Sequence, residues 1–118
     1  LSSRHILLAE DNPVLSRVLR QQLINLGQRV TLAEDGREAL DLFDPETIDI
    51  VILDARMPRL SGLETSSQIR DTHPAWLGPI YILTADLTLP ARDWDKYGVT
   101  SILMKPLSVE ELKSRVLA

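Results

Sequence analysis

The chain has 118 residues, 44% of them apolar and 25% charged, with a formal net charge of −4 at pH 7. This composition is typical of one soluble domain, and the acidic balance argues against binding to nucleic acid by charge alone. The absence of cysteine excludes disulfides, thiolate metal sites and cysteine nucleophiles, and no apolar run approaches the roughly 20 residues that span a bilayer. We therefore expect residues 1–118 to form one domain without membrane contact and, because the chain begins with Leu1, to be part of a longer protein.

Five short apolar runs predict β-strands, at residues 5–9, 30–33, 48–53, 79–83 and 101–104. The third and fourth runs are continuously apolar, which is the pattern of strands covered on both faces in a parallel sheet. The second run is the weakest, because Thr31 would let one of its faces meet water.

The segments between the runs have helical periodicity and recognisable start signals. Asn12 and Pro13 provide an N-cap and a first-turn proline, and Gly27 ends the first predicted helix. Its apolar residues are expected on one inward stripe, which comprises Leu15, Val18, Leu19, Leu23 and Leu26.

Three later segments begin with a capping-box pattern, in which a Ser or Asp is followed three residues later by Glu. These are Asp35 with Glu38, Ser61 with Glu64, and Ser108 with Glu111. The last helix is expected to point Val109, Leu112 and Val116 inward. Residues 88–97 are less regular, and Pro90 leaves both a helix and a loop open there.

Strands and helices alternate along the whole chain. This alternation predicts an α/β fold with a doubly wound, five-stranded parallel sheet, right-handed crossovers and helices on both faces. In such folds ligands bind beyond the carboxyl ends of the strands, near the point where the strand order reverses. If the order is 2-1-3-4-5, the first and third strands are neighbours at that point.

Polar side chains follow four of the five predicted strands. They are Glu10 and Asp11 after the first, Asp54 after the third, Thr84 after the fourth and Lys105 after the fifth. Three carboxylates in one crevice repel one another and need a cation, and oxygen ligands favour a hard ion such as Mg²⁺. The set therefore predicts a magnesium-dependent phosphoryl-transfer site.

Each residue of this set also has an ordinary structural interpretation. Asp11 could cap the first helix, Asp54 could stabilise the turn that ends at Pro58, and Thr84 could be a strand terminus. These interpretations weaken when the residues are taken together, because four strands would have to place complementary groups on one edge by accident. We therefore favour Asp54 as a nucleophile toward phosphorus, forming an acyl phosphate.

The supporting roles follow from the same chemistry. Glu10 and Asp11 would hold the metal directly or through water. The metal and Lys105 would neutralise the phosphoryl oxygens as negative charge develops on them. Thr84 would donate a hydrogen bond to a phosphoryl oxygen.

Four motifs carry these residues. They are Leu8-Ala9-Glu10-Asp11, Ile52-Leu53-Asp54-x-x-Met57-Pro58, Leu83-Thr84-Ala85 and Met104-Lys105-Pro106. With these motifs the chain resembles, from about Ile6 to Leu117, the receiver domain of two-component response regulators, the CheY-like family. The resemblance implies the strand order 2-1-3-4-5.

The resemblance also implies roles for individual residues. Asp54 is implied as the phosphoacceptor, Thr84 as the switch hydroxyl, and Lys105 as the phosphate-contacting base that precedes a cis peptide bond to Pro106. The implied Mg²⁺ ligands are Glu10, Asp11, Asp54 and the backbone carbonyl of Arg56. The phosphoryl group would come from a phosphohistidine of a histidine kinase or a histidine phosphotransfer domain. The domain would then catalyse its own phosphorylation and dephosphorylation.

One position departs from the family pattern. Family members commonly carry Tyr or Phe three residues before the lysine, but this chain has Ile102. The signal is therefore expected to pass through the backbone after Thr84 and through residues 86–97. This segment and the fifth strand are the expected docking surface for partners.

The stretches Glu10-Asp11-Asn12-Pro13 and Leu83-Thr84-Ala85-Asp86 also resemble receivers within hybrid sensor histidine kinases, where phosphate moves from His to Asp to His. A stand-alone regulator remains equally compatible with the sequence. A receiver of either kind would be cytoplasmic and would not bind nucleic acid directly.

Three alternatives belong to other functional classes. A pseudo-receiver would keep the fold as a protein interaction module without phosphorylation, but all five polar positions are retained here. A phosphatase of the haloacid dehalogenase kind would carry an Asp-x-Asp pattern after the first strand, which this chain lacks. A nucleotide- or flavin-binding domain is disfavoured because the five glycines do not cluster into a phosphate-binding loop.

Overall fold

The structure, a computed structural model, describes residues 2–86 and 91–118. Within these residues five parallel strands form one sheet in the order β2-β1-β3-β4-β5. The strands are β1 (His5–Ala9), β2 (Arg29–Ala33), β3 (Ile50–Asp54), β4 (Ile80–Thr84) and β5 (Ser101–Met104). The predicted doubly wound parallel sheet and its strand order are confirmed. The third and fourth strands begin slightly later than predicted and extend to Asp54 and Thr84.

The first helix, α1 (Pro13–Asn25), begins as predicted. The Asn12 side chain accepts the backbone N–H groups of Val14 and Leu15, and Pro13 occupies the first turn. Leu19 and Leu23 are buried, but Val18 is 48% exposed, so its expected place on the inward stripe was wrong. Successive helical residues are rotated by about 100°, and Val18 therefore points away from the sheet when Leu19 points toward it.

The caps of the next two helices differ in detail. In α2 (Gly36–Leu42) the Asp35 side chain accepts the Glu38 N–H, but the Glu38 carboxylate accepts the N–H of Glu34, so the predicted capping box is only half formed. In α3 (Gly62–Thr72) the box is reciprocal between Ser61 and Glu64. The Asp35 and Ser61 side chains thus accept hydrogen bonds from backbone N–H groups that would otherwise have no partner at the start of a helix.

The C-terminal helix also begins with a complete capping box, between Ser108 and Glu111. It consists of α4 (Val109–Glu111) followed by a π-helical segment (Leu112–Val116). Leu112 and Val116 are buried as predicted, whereas Val109 is half-buried. The segment predicted at 88–97 contains a 3₁₀ helix (Ala91–Tyr97), and its part at 88–90 lies outside the described residues.

Both faces of the sheet are covered by apolar side chains. Leu7 and Leu53 pack with α2 and α3 on one face, while Leu8 and Ile52 pack with α1 and the C-terminal helix on the other. Each fully buried side chain of this size contributes about 1.5–3 kcal/mol of transfer free energy. This two-sided burial explains why the central strands are continuously apolar. Among the described residues, no helix is long and apolar enough to cross a membrane.

Candidate functional site

The sheet register brings the predicted site residues to one edge. Ala9 of β1 pairs with Leu53 of β3, so the residues that follow them, Glu10 and Asp54, lie side by side. Asp54 in turn pairs with Leu83 of β4, which places Thr84 one position further along the same edge. All three polar side chains are buried, Glu10 at 3% and Asp54 at 6% exposure. The fold therefore unites groups that lie far apart in the sequence.

Three carboxyl groups form a cluster at this edge. One oxygen each from Glu10, Asp11 and Asp54 lies within 4.8 Å of the others, and Asp11 is the exposed member. The alternative in which Asp11 caps α1 is not what the structure shows, because Asn12 is the cap. The Asp11 carboxyl instead belongs to the acid cluster.

Lys105 bridges the two buried acids. Its Nζ lies 2.9 Å from Glu10 Oε1 and 3.2 Å from Asp54 Oδ2. Burial alone would lower the pKa of Lys105, but the hydrogen bonds and negative charges of the two acids outweigh it and hold the pKa above its ordinary value. The lysine is therefore a fixed positive charge directed at Asp54. Its peptide bond to Pro106 is cis, as the family resemblance implied.

Glu10 is the most strongly perturbed acid of the site. Burial, reinforced by the neighbouring Asp54 carboxyl, raises its pKa from 4.5 to about 7, although the hydrogen bond from Lys105 acts in the opposite direction. The positive charge of one lysine therefore does not fully balance the negative charge of the clustered carboxylates. An additional cation would do so.

The donor set fits a small hard cation. All three side-chain donors are carboxylate oxygens, the ligand type that Mg²⁺ prefers, and octahedral ligands at about 2.0–2.1 Å from the ion lie roughly 3–4 Å apart. The observed separations of up to 4.8 Å approach this arrangement and leave room for a bridging water. The residues present therefore match a magnesium site in chemistry and spacing.

Of the three clustered acids, Asp54 faces a cleft of about 370 Å³. Its lining residues are Asp54, Arg56, Thr84, Ala85, Asp86 and Lys105. The cleft offers space for a tetrahedral group beside the Asp54 carboxyl, and both Lys105 and Thr84 line the same space. A second, larger cleft lies on the other side of Glu10 and Asp11, against α1 and α2.

The Thr84 hydroxyl lies in the first cleft with a defined orientation. Its oxygen accepts the backbone N–H of Asp86 at 2.9 Å, and the Thr84 carbonyl accepts the N–H of Lys105 at 2.8 Å. Within residues 2–86 and 91–118 the hydroxyl proton meets no acceptor, so it can be donated to a ligand in the cleft. Ile102, at the position where the family pattern has an aromatic residue, is half-buried and packs against the core. Part of the docking segment predicted at 86–97, namely 87–90, lies outside the described residues.

Two features of the site were not predicted from the sequence. The first is an ion pair of 2.7 Å between Arg56 Nη2 and Asp86 Oδ2 at the mouth of the cleft. The sequence signal for this pair was that opposite charges stand two residues after Asp54 and two residues after Thr84, just beyond the ends of neighbouring strands.

The second feature is Gly62, where α3 begins. A Cβ at this position would collide with the backbone carbonyl of Asp54. Glycine therefore lets the start of α3 approach the end of β3, and this contact fixes the backbone that carries the Asp54 side chain. The only sequence signal for this close approach was that Gly62 directly follows the capping residue Ser61.

Comparisons with known proteins agree with this geometry. A sequence model of the response regulator receiver domain matches residues 6–117. The chain is 41% identical over 114 residues to the response regulator MprA of Mycolicibacterium vanbaalenii, a match that covers 96% of this chain and 48% of MprA. The chain thus spans about half the length of this relative.

Solved receiver structures have the same architecture. The receiver domain of the sensor histidine kinase PA1611 from Pseudomonas aeruginosa PAO1, with a magnesium ion coordinated in its active site cleft, has a TM-score of 0.82 at 35% identity, covering 95% of this chain and 93% of that chain. The receiver domain of Ssk1 from Saccharomyces cerevisiae, crystallised with the histidine phosphotransfer protein Ypd1, has a TM-score of 0.84 at 25% identity. That match covers 94% of this chain and 84% of that chain.

Proposed function

Because the chain belongs to the response regulator receiver family of two-component signalling, we propose that it accepts a phosphoryl group on Asp54 from a phosphohistidine of a partner protein. The observation that carries this proposal is that Lys105 and the acid cluster meet at the Asp54 carboxyl, in a cleft that Thr84 also lines. A pseudo-receiver that serves only as an interaction module would not need this convergence.

The proposed transfer is a displacement at phosphorus. An Asp54 oxygen attacks the phosphorus, the phosphorus–nitrogen bond to the imidazole breaks, and the imidazole nitrogen leaves with the bonding electrons. Lys105 stabilises the negative charge on the phosphoryl oxygens, and the Thr84 hydroxyl donates to one of them. Later attack by water on the phosphorus breaks the acyl phosphate bond, which returns the Asp54 carboxylate and inorganic phosphate.

Glu10, Asp11, Asp54 and the backbone carbonyl of Arg56 are the proposed holders of Mg²⁺. When bound, the ion supplies positive charge that offsets the carboxylates and the developing charge on the phosphoryl oxygens. The structural support is the fit of the three carboxylates to a hard cation, together with the burial and the neighbouring Asp54 carboxyl that raise the pKa of Glu10.

The proposed donor is a histidine kinase or a histidine phosphotransfer domain, and the proposed compartment of the reaction is the cytoplasm. The similar proteins include both a response regulator and the receiver of a sensor kinase. A relay from His to Asp to His within a hybrid kinase is therefore a second form of the same proposal, with Asp54 as the intermediate carrier.

The test is phosphorylation with a small acyl-phosphate donor, acetyl phosphate, in the presence of Mg²⁺, read out by intact mass. We expect the parent to gain the mass of one phosphoryl group, and Asp54→Asn to gain none. The matched control is Asp41→Asn, at an exposed aspartate of α2, which should behave like the parent. A gain that persists in Asp54→Asn, or no gain in the parent, would overturn the proposal.

A further inference from the structure

The ion pair between Arg56 and Asp86 connects the two loops that border the cleft. Arg56 follows β3, and Asp86 follows β4. Each partner also touches a site side chain through its own backbone. The Arg56 N–H donates to Asp54 Oδ1 at 3.4 Å, and the Asp86 N–H donates to Thr84 Oγ1 at 2.9 Å. The ion pair therefore links the loop at the acceptor carboxyl to the loop at the hydroxyl.

The environment of this pair makes it easy to break. The Arg56 side chain is 82% exposed and that of Asp86 26% exposed. Ion pairs in such surroundings contribute little net stability, because solvent screens the charges and long side chains lose rotamer freedom. The guanidinium can therefore leave Asp86 when a stronger anion becomes available within reach.

A phosphoryl group on Asp54 would be such an anion. It carries a charge of about −1.5 to −2 and presents three acceptor oxygens. A guanidinium pairs with such a group through two parallel hydrogen bonds, and charge-assisted bonds of this kind are about twice as strong as neutral ones. Arg56 already lines the cleft in which the group would lie.

On the basis of the proposed function, we propose that Arg56 is a phosphoryl-binding residue that exchanges Asp86 for the phosphoryl group on Asp54. In the unphosphorylated protein the Arg56 guanidinium pairs with the Asp86 carboxylate. Phosphorylation draws the guanidinium inward and breaks its contact with Asp86, two residues after Thr84. The exchange thus gives a route for signal output that does not require an aromatic side chain at Ile102.

A competition experiment tests the exchange. The probe is beryllium fluoride, a tetrahedral mimic of the phosphoryl group, titrated in the presence of Mg²⁺. We expect Arg56→Gln to weaken binding about tenfold, since it removes a charge-assisted contact. Asp86→Asn should strengthen binding by up to about fivefold, because the competing partner is removed. Arg56→Lys should restore only part of the lost affinity, since lysine keeps the charge without the fork.

A double variant that combines Arg56→Gln with Asp86→Asn distinguishes this exchange from an effect of the Asp86 charge on the cleft that does not involve Arg56. If Asp86 acts by holding Arg56, the effect of Asp86→Asn disappears in the Arg56→Gln background. The matched control is Arg59→Gln, which removes a 72% exposed arginine of the same loop that pairs with Asp35 instead, and which should leave the affinity unchanged. An equal effect of Asp86→Asn in both backgrounds would overturn the inference, as would equal weakening by Arg56→Gln and Arg59→Gln.

The inference and the proposed function can fail separately. Suppose that the parent takes up a phosphoryl group on Asp54 and binds the mimic, but the effects of Arg56→Gln and Asp86→Asn on the affinity are additive in the double variant. Only the role of Arg56 is then refuted. If the parent neither gains phosphoryl mass nor binds the mimic, the proposed function is refuted and the exchange with it.

Discussion

The buried carboxyl of Glu10 makes the stability of the metal-free protein dependent on pH. Its pKa is raised from 4.5 to about 7 in the folded state, mainly because the group is buried. Between these two values the folded protein binds more protons than the unfolded chain. Stability therefore falls as pH rises through this window, and the loss is complete above the folded pKa.

The size of the effect follows from the two pKa values. Each pH unit between them corresponds to about 1.4 kcal/mol, so the full difference amounts to about 3 kcal/mol. Lys105 stays protonated throughout this pH range and adds nothing to the pH dependence, because its pKa is raised above an ordinary value that is already high. Glu10→Gln keeps the shape of the side chain and removes its titration. The variant should match the parent near pH 4 and exceed its stability above pH 7 by up to about 3 kcal/mol.

Urea denaturation in the presence of a chelator, at several values between pH 4 and pH 9, measures this difference. Glu46→Gln, at an exposed glutamate, is the matched control and should parallel the parent at every pH. Adding Mg²⁺ at pH 8 should restore stability to the parent more than to Glu10→Gln, because an ion that binds only the folded state stabilises it. Parallel curves for the parent and Glu10→Gln would refute a buried, titrating Glu10.

Three further substitutions test single contacts, and a fourth serves as a control. Lys105→Met should slow phosphorylation by acetyl phosphate about 100-fold, since it removes the cation that faces the phosphoryl group; an unchanged rate in a mass time course would contradict this role. Gly62→Ala should cost about 1–3 kcal/mol in urea denaturation, because its Cβ meets the Asp54 carbonyl. Gly27→Ala, where φ is +83° and nothing lies within 4 Å, should cost only about 1 kcal/mol, and a larger loss there would contradict the packing argument. Ser108→Ala should cost about 1 kcal/mol through the lost cap, and an unchanged melting temperature would show that the capping box adds no stability.

The sheet was predictable because its determinants are local. Continuous apolar runs in β3 and β4 signal burial on both faces, and alternation with helices restricts the connections to parallel crossovers. The positions of Glu10, Asp54 and Thr84 then followed from a general property of such sheets, whose strands end at a common edge. The cis bond to Pro106 followed from the family resemblance alone.

Other features depend on packing that no local pattern encodes. Val18 fits the periodicity of α1 as well as Leu19 does, and only the path of the helix over the sheet decides that it is exposed. The collision that Gly62 avoids involves the backbone of another element. The Arg56–Asp86 pair requires two loops to meet across the cleft. These features arise between elements and were therefore outside the reach of sequence patterns.

The central claim is that Asp54 carries the phosphoryl group as an acyl phosphate. Neutral hydroxylamine cleaves acyl phosphates and leaves a hydroxamate on the acyl carbon, whereas phosphate esters of serine and threonine survive it. After phosphorylation of the parent with Mg²⁺ and acetyl phosphate, we predict complete loss of the phosphoryl mass and a hydroxamate at Asp54 in the peptide map. A phosphoryl group that survives hydroxylamine, or a hydroxamate at another acidic residue, would contradict the account.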